Sequence, residues 1–358
     1  MDNLRGIAAP EWQQLLRENN YRIAPRFWNR AWAVTMLSLR NSRARREEHA
    51  RFGAAVEAAT PAPPLFILGH WRNGTTLLHE LLALDEQFAY PNLFEVSNPH
   101  AFLVWEAQVA RELEGAAARR RPMDAMEVTF RSPGEDEAAL AVSSLRSPVL
   151  AWAFPRREAH YDRYYTFNGV PPAEVAAWKA ALVWFCKKLT FRYGRPLVLK
   201  SPPHTARVRL LLEVFPDARF VHIHRDPYAV FRSTQQLYAR AVPLSQLQTR
   251  DPALVDAGII RRYAEMYEAF FAQQPRIPAG RYCEVRFEEL ERDIVGQVGA
   301  IYEQLGLPGF ARLEPKLRQY AAARAGYQKN RHQPLAPPLR ARIAQAWQAS
   351  FAAWGYAP

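Results

Sequence analysis

Four short apolar runs organise the chain, and each is followed by a stretch whose apolar residues recur three or four positions apart. Leu65–Leu68, with prolines before it and glycines after it, reads as a strand buried on both faces. From Thr75 onward the leucines at 77, 78, 81, 82 and 84 take helical spacing. Residues 196–199, 219–224 and 281–287 predict three further strands, with helices over 206–215, 227–238 and 288–305. Between the first two strands Val175, Trp178, Leu182, Phe185 and Leu189 predict a long helix, opened by Pro171-Pro172 and closed at Gly194. Strands alternating with helices imply the α/β class: a three-layer parallel sheet with right-handed crossovers and flanking helices. The predicted organisation is a helical N-terminal region over 1–60, then an α/β domain over 61–358 with a helical insert at about 101–194 and a helical C-terminal part.

Residues 11–52 are amphipathic, with Phe27, Trp28, Trp32, Met36 and Leu37 on one side and many arginines elsewhere. Packing of this aromatic stripe on the core is the preferred reading, and peripheral membrane contact is the alternative. The longest apolar stretch there, 31–39, is far shorter than the roughly 20 residues that cross a bilayer. The opening residues lack the apolar centre of a signal peptide.

Composition narrows the ligand more than the fold. The net charge of +12, from 47 basic and 35 acidic residues, favours anionic partners. Only Cys186 and Cys283 occur, without metal-ligand spacing, so a reducing, cytoplasmic setting is expected and no metal. The run Glu135-Asp136-Glu137 suits a helix start better than a metal site.

The candidate chemistry lies at the carboxyl ends of the strands, where open parallel sheets bind ligands. Gly69, Gly74 and Thr76 fit the phosphate-loop spacing G-x-x-x-x-G-K-[ST], except that Thr75 stands in the lysine position and the cation is upstream at Arg72. Strand, loop and helix together aim backbone N–H groups at an anion. Lys200 and Arg225 end two other strands, and Asp226, the acid nearby, sits where a helix N-cap belongs. Converging cations without a magnesium-binding acid suit a nucleotide held directly, so a P-loop kinase is the weaker alternative. A non-catalytic nucleotide or nucleic-acid binder is the other; it accounts for the charge alone.

The motifs resemble those of sulfotransferases that use 3′-phosphoadenosine 5′-phosphosulfate (PAPS) and release PAP. Arg72-Asn73-Gly74-Thr75-Thr76 is similar to the family's 5′-phosphosulfate loop, with Asn73 in place of its serine. Arg225 and Ser233, eight residues apart, match its 3′-phosphate motif. The resemblance extends to Lys200-Ser201-Pro202-Pro203-His204 and to the Lys329-Asn330 loop, which it places at the nucleotide. It implies a P-loop-like fold, no metal, and transfer of a sulfuryl group to a hydroxyl or amine of a small-molecule, lipid or glycan acceptor, with no nucleic-acid partner. It further implies that Arg72 and Lys200 stabilise the charge of the transferring group. Glu95, or else His204, takes the acceptor proton, with Glu95 preferred. Where many relatives carry Tyr-Glu-Asp-Leu after the fourth strand, this chain has Phe287-Glu288-Glu289-Leu290.

Overall fold

The computed structural model of the chain describes residues 4–112, 119–120, 127–324 and 335–358. Its main sheet has four parallel strands: β1 (Leu65–Leu68), β2 (Val198–Lys200), β3 (Arg219–His224) and β4 (Tyr282–Arg286), in the order β2-β1-β3-β4. Helices α1 (Ala9–Glu18) and α2 (Trp28–Ala58) precede the sheet, and α3 (Thr75–Ala83) follows β1 directly. Helices α4 (Leu93–Ser97) and α5 (Pro172–Tyr193) lie between α3 and β2 in sequence, and α6 (Pro227–Arg240) and α7 (Val255–Gln273) between β3 and β4. The chain divides into two compact units. One comprises Met1–Ala62, Tyr90–Leu197 and Tyr238–Pro252, and the other Pro63–Ala89, Val198–Leu237 and Ala253–Pro358.

The second unit contains the whole sheet. Alternate residues of a strand face opposite sides, so Leu65, Ile67, Val221 and Ile223 share one face. They belong to one core with Leu77, Leu78 and Leu81 of α3 and with Val298 and Ile301. On the other face Phe66 stacks on Phe220 with centroids 5.7 Å apart, and His222 stacks on Phe270 of α7 at 4.4 Å. Both faces are therefore covered by helices, which is why these strands read as unbroken apolar runs. Strands β1 and β3 have the predicted bounds, while β2 starts two residues late and ends on Lys200. The helix expected over 206–215 is shorter: a 3₁₀ turn, Pro202–Ala206, comes first and the α-helix spans Val208–Val214.

The first unit is helical. Helix α5 begins at Pro172 and ends at Gly194, whose φ of 62° gives the left-handed cap that glycine tolerates best. The stretch 11–52 falls on two helices, α1 and α2, separated by Asn20 and Tyr21 at positive φ and by a 3₁₀ turn, Pro25–Phe27. The packing expected of its aromatic stripe is only partial, with Phe27 and Leu37 half-buried. Helix α2 buries Ala31, Val34, Ser38, Asn41 and Ala44, while Trp28, Trp32 and Met36 are 62%, 68% and 49% exposed. Small residues admit α1 closely: Ala9 N–H donates to Ser42 Oγ at 2.8 Å and Trp12 Nε1 to Thr35 Oγ1 at 2.9 Å. The two cysteines are buried and free.

Candidate active site

The loop after β1 is held in shape by partners distant in sequence. Gly69 leaves the strand at φ +145°, and a Cβ there would lie 2.5 Å from the Ile223 carbonyl, so a side chain is excluded. Its N–H donates to Thr205 Oγ1 at 2.7 Å. The His70 N–H donates to the Tyr267 hydroxyl at 3.2 Å. The Asn73 amide donates to the Ile223 carbonyl at 3.0 Å and to Tyr267 at 2.7 Å. Asn73, expected at the donor, thus turns its side chain toward the sheet and braces the loop. Gly74, at φ +97°, lies against Phe287, whose ring carbon would be 2.2 Å from an added Cβ. Helix α3 then starts at Thr75, which is buried, with Thr76 half-buried beside it. The first-turn amides of a helix have no partner within it, and they point along the positive end of its dipole.

Three of the expected donor-binding side chains meet here. Arg72 adopts φ 76°, an uncommon conformation for a residue with a side chain, and its Nε donates to Ser233 Oγ of α6 at 2.7 Å. Arg225, directly after β3, donates from Nη1 to the Arg72 carbonyl at 3.2 Å. Its guanidinium lies 4.3 Å over the Phe287 ring. Burial depresses the Arg225 pKa and the neighbouring Arg72 charge adds to this, against the pull of Glu288. Two guanidiniums held in one bonded set, beside a hydroxyl and a helix N-terminus, form a cradle whose mutual repulsion a phosphate relieves. Asp226 takes the capping position read from the sequence: its Oδ1 accepts from Ala229 N–H at 2.7 Å.

Lys200 is buried at the end of β2, with Ile67 as its register partner on β1. His204 is fully buried in the 3₁₀ turn, its ring edge-on to Phe66 at 5.5 Å. Glu95 belongs to the other compact unit and is fully buried. It is the third residue of the short helix α4 and forms a capping box with Asn92: Asn92 N–H donates to its Oε2 at 2.7 Å, and its own N–H donates to Asn92 Oδ1 at 2.9 Å. The Tyr193 hydroxyl donates to Oε1 at 2.8 Å, and Arg192 Nε stands 3.2 Å from the same oxygen. Burial dominates and pushes the carboxyl up to about 7, with Glu106 adding to the rise. Lys329 and Asn330 lie outside the described residues.

The sequence gives no sign of the bracing groups Tyr267 and Thr205, or of the bracing role of Phe287. Thr205 directly follows the lysine-to-histidine segment. Nothing local marks Tyr267, whose role comes from α7 covering the sheet. Phe287 stands at the motif's tyrosine position, and its ring supports both Gly74 and Arg225.

Residues 63–312 match the sulfotransferase family model. The chain is 36% identical over 346 residues, 96% of its length and 89% of the relative's, to the omega-hydroxy-beta-dihydromenaquinone-9 sulfotransferase Stf3 of Mycobacterium tuberculosis. It is 30% identical over 272 residues, 70% of its length, to human carbohydrate sulfotransferase 6. Among solved structures, sulfotransferase STF9 of Mycobacterium avium superposes with a TM-score of 0.64 at 18% identity, covering 97% of this chain and 96% of that one, and shares the fold. The loop and helix that build the Arg72–Ser233–Arg225 cradle lie inside the matched segment, and this chain belongs to the sulfotransferase family.

Proposed function

We propose that this PAPS-dependent sulfotransferase acts on the hydroxyl of a lipid. The observation that carries the donor half is the cradle itself: Arg72, Ser233 and Arg225 in one bonded set at the strand ends. The acceptor half is supported by the mycobacterial relative at 36% identity, whose name states a hydroxylated dihydromenaquinone as its acceptor. In this reading the α3 amides and Arg72 take the 5′-phosphosulfate, while Arg225 and Ser233 take the 3′-phosphate. The acceptor oxygen attacks sulfur in line. The bond between sulfur and the bridging oxygen breaks, and its electron pair leaves on the 5′-phosphate of PAP. Arg72 and Lys200 stabilise the charge that grows there, the role that aimed cations and donors fill in group transfer.

The acceptor proton goes to Glu95. A carboxyl poised near 7 suits a general base at neutral pH. Its Oε1 already accepts a hydroxyl from Tyr193, so an acceptor hydroxyl replacing Tyr193 would present its proton to the same atom. His204, buried edge-on to Phe66, is the second candidate.

A transfer assay with sulfur-labelled PAPS in excess chelator tests the reading, with a long-chain lipid alcohol, a glycan and a phenol as competing acceptors. The expected result is label in the lipid fraction at full rate without divalent metal. Label confined to the glycan or the phenol would overturn the lipid assignment, and an absolute need for metal would overturn direct cationic stabilisation.

A further inference from the structure

Helix α2 presents two unlike faces. One packs within its own unit through Ala31, Val34, Ser38, Asn41 and Ala44. The other carries Trp28, Trp32, Met36 and Leu39, which are 62%, 68%, 49% and 54% exposed. At 100° per residue these four fall within an arc of about 80°, along roughly 17 Å of helix. A turn beside the helix start extends the apolar surface. Arg30 Nη1 donates to the Pro243 and Gln246 carbonyls at 3.0 and 2.6 Å, and in that turn Leu244 is 43% exposed. Large side chains left in water on a well-formed helix mark an interaction surface.

The charge around the face selects its partner. Between Glu18 and Glu47 the sequence has seven arginines and no acidic residue. Arg22 and Arg26 are exposed ahead of the helix, and Arg43 and Arg46 are exposed beyond the apolar arc. Tryptophans seat at the level of lipid headgroups, and arginines flanking an apolar helix face bind anionic phosphates. No helix among the described residues is long and apolar enough to cross a membrane, so the face suits lying on a bilayer rather than spanning one. We propose that the Trp28–Trp32–Met36–Leu39 face of α2, with its flanking arginines, docks the protein onto an anionic lipid surface. The proposal rests on the face alone and holds whichever acceptor is used; a lipid acceptor would be its functional counterpart.

Co-sedimentation of the full chain with vesicles, without donor or acceptor, tests this separately from the transfer reaction. The native protein is expected to pellet with vesicles of phosphatidylcholine doped with phosphatidylglycerol and to remain in solution with phosphatidylcholine alone. Trp28→Ser with Trp32→Ser should lower binding to the doped vesicles on the order of 10-fold or more, and so should Arg43→Glu with Arg46→Glu. These exposed positions should leave the melting temperature and transfer to a water-soluble alcohol unchanged. Native protein in the supernatant with both vesicle types would overturn the proposal, as would undiminished binding by the Trp28→Ser/Trp32→Ser variant. A native dimer that this variant dissociates in sedimentation velocity would also overturn it and assign the face to a second copy of the chain.

Discussion

Glu95→Gln is expected to lower kcat on the order of 10²- to 10⁴-fold and leave PAP affinity unchanged, as for loss of a general base. The base acts only when ionised, so native activity should rise with pH through about 7, where burial holds this carboxyl, and the variant should lose that limb. Glutamine at the third helical position still supports a capping box, so the fold should survive. Linkage supplies a control. The folded-state pKa lies above the ordinary 4.5, so Glu95 contributes stability below that pH, which is lost as pH rises through about 7. The glutamine side chain has no such loss, and at pH 8 the variant should melt no lower than the native protein. A rate loss without a melting loss then separates chemistry from structure. Turnover within a few-fold of native would remove Glu95 from the reaction and leave His204 as the base.

Lys200→Ala is expected to lower kcat on the order of 10²-fold or more, with little change in PAP affinity. Lys200 is the last residue of β2, buried beside Ile67 of β1 at the carboxyl ends of the strands, where an open parallel sheet binds its ligand. Charge that develops on the leaving phosphate only as the sulfur–oxygen bond breaks is stabilised in the transition state and not in the PAP complex, so kcat carries the effect. Because alanine leaves a void at a buried site, Lys200→Met, which keeps the stem's volume, should show the same kinetic loss with a native-like melting curve. If PAP affinity falls in parallel with kcat in both variants, Lys200 binds the nucleotide rather than assisting transfer.

The strands, the glycine-bounded loop and the cap at Asp226 were legible because each is local: an apolar run, glycine spacing, an acid before a proline. The same locality explains what was not. The direct bond between Arg72 and Ser233 joins residues 161 positions apart, and the Asn73–Tyr267 contact joins residues 194 apart. Neither leaves a trace in any window of sequence. Asn73 reads as a ligand residue from its motif position, yet its amide is taken by the Ile223 carbonyl and Tyr267. The exposure of Trp28, Trp32 and Met36 on α2 has another reason. Periodicity shows that a helix has two faces but not which one meets the protein, and here the small residues do. Nothing in the sequence around Glu95 marks it as buried, whereas its capping box and its contacts to α5 accompany the burial that raises its pKa.

One calorimetric series in excess chelator decides whether the cradle binds the nucleotide without magnesium and whether Arg225 holds the 3′-phosphate. PAP and adenosine 5′-phosphosulfate, which lacks the 3′-phosphate, are each titrated into the native protein and into Arg225→Ala. Native protein is expected to bind PAP fully under chelation. Arg225→Ala is expected to lose about 2 kcal/mol or more for PAP, the worth of a charge-assisted hydrogen bond, and almost nothing for adenosine 5′-phosphosulfate. Equal losses for the two nucleotides would remove Arg225 from the 3′-phosphate, and PAP binding that appears only when magnesium is restored would rule out direct cationic binding.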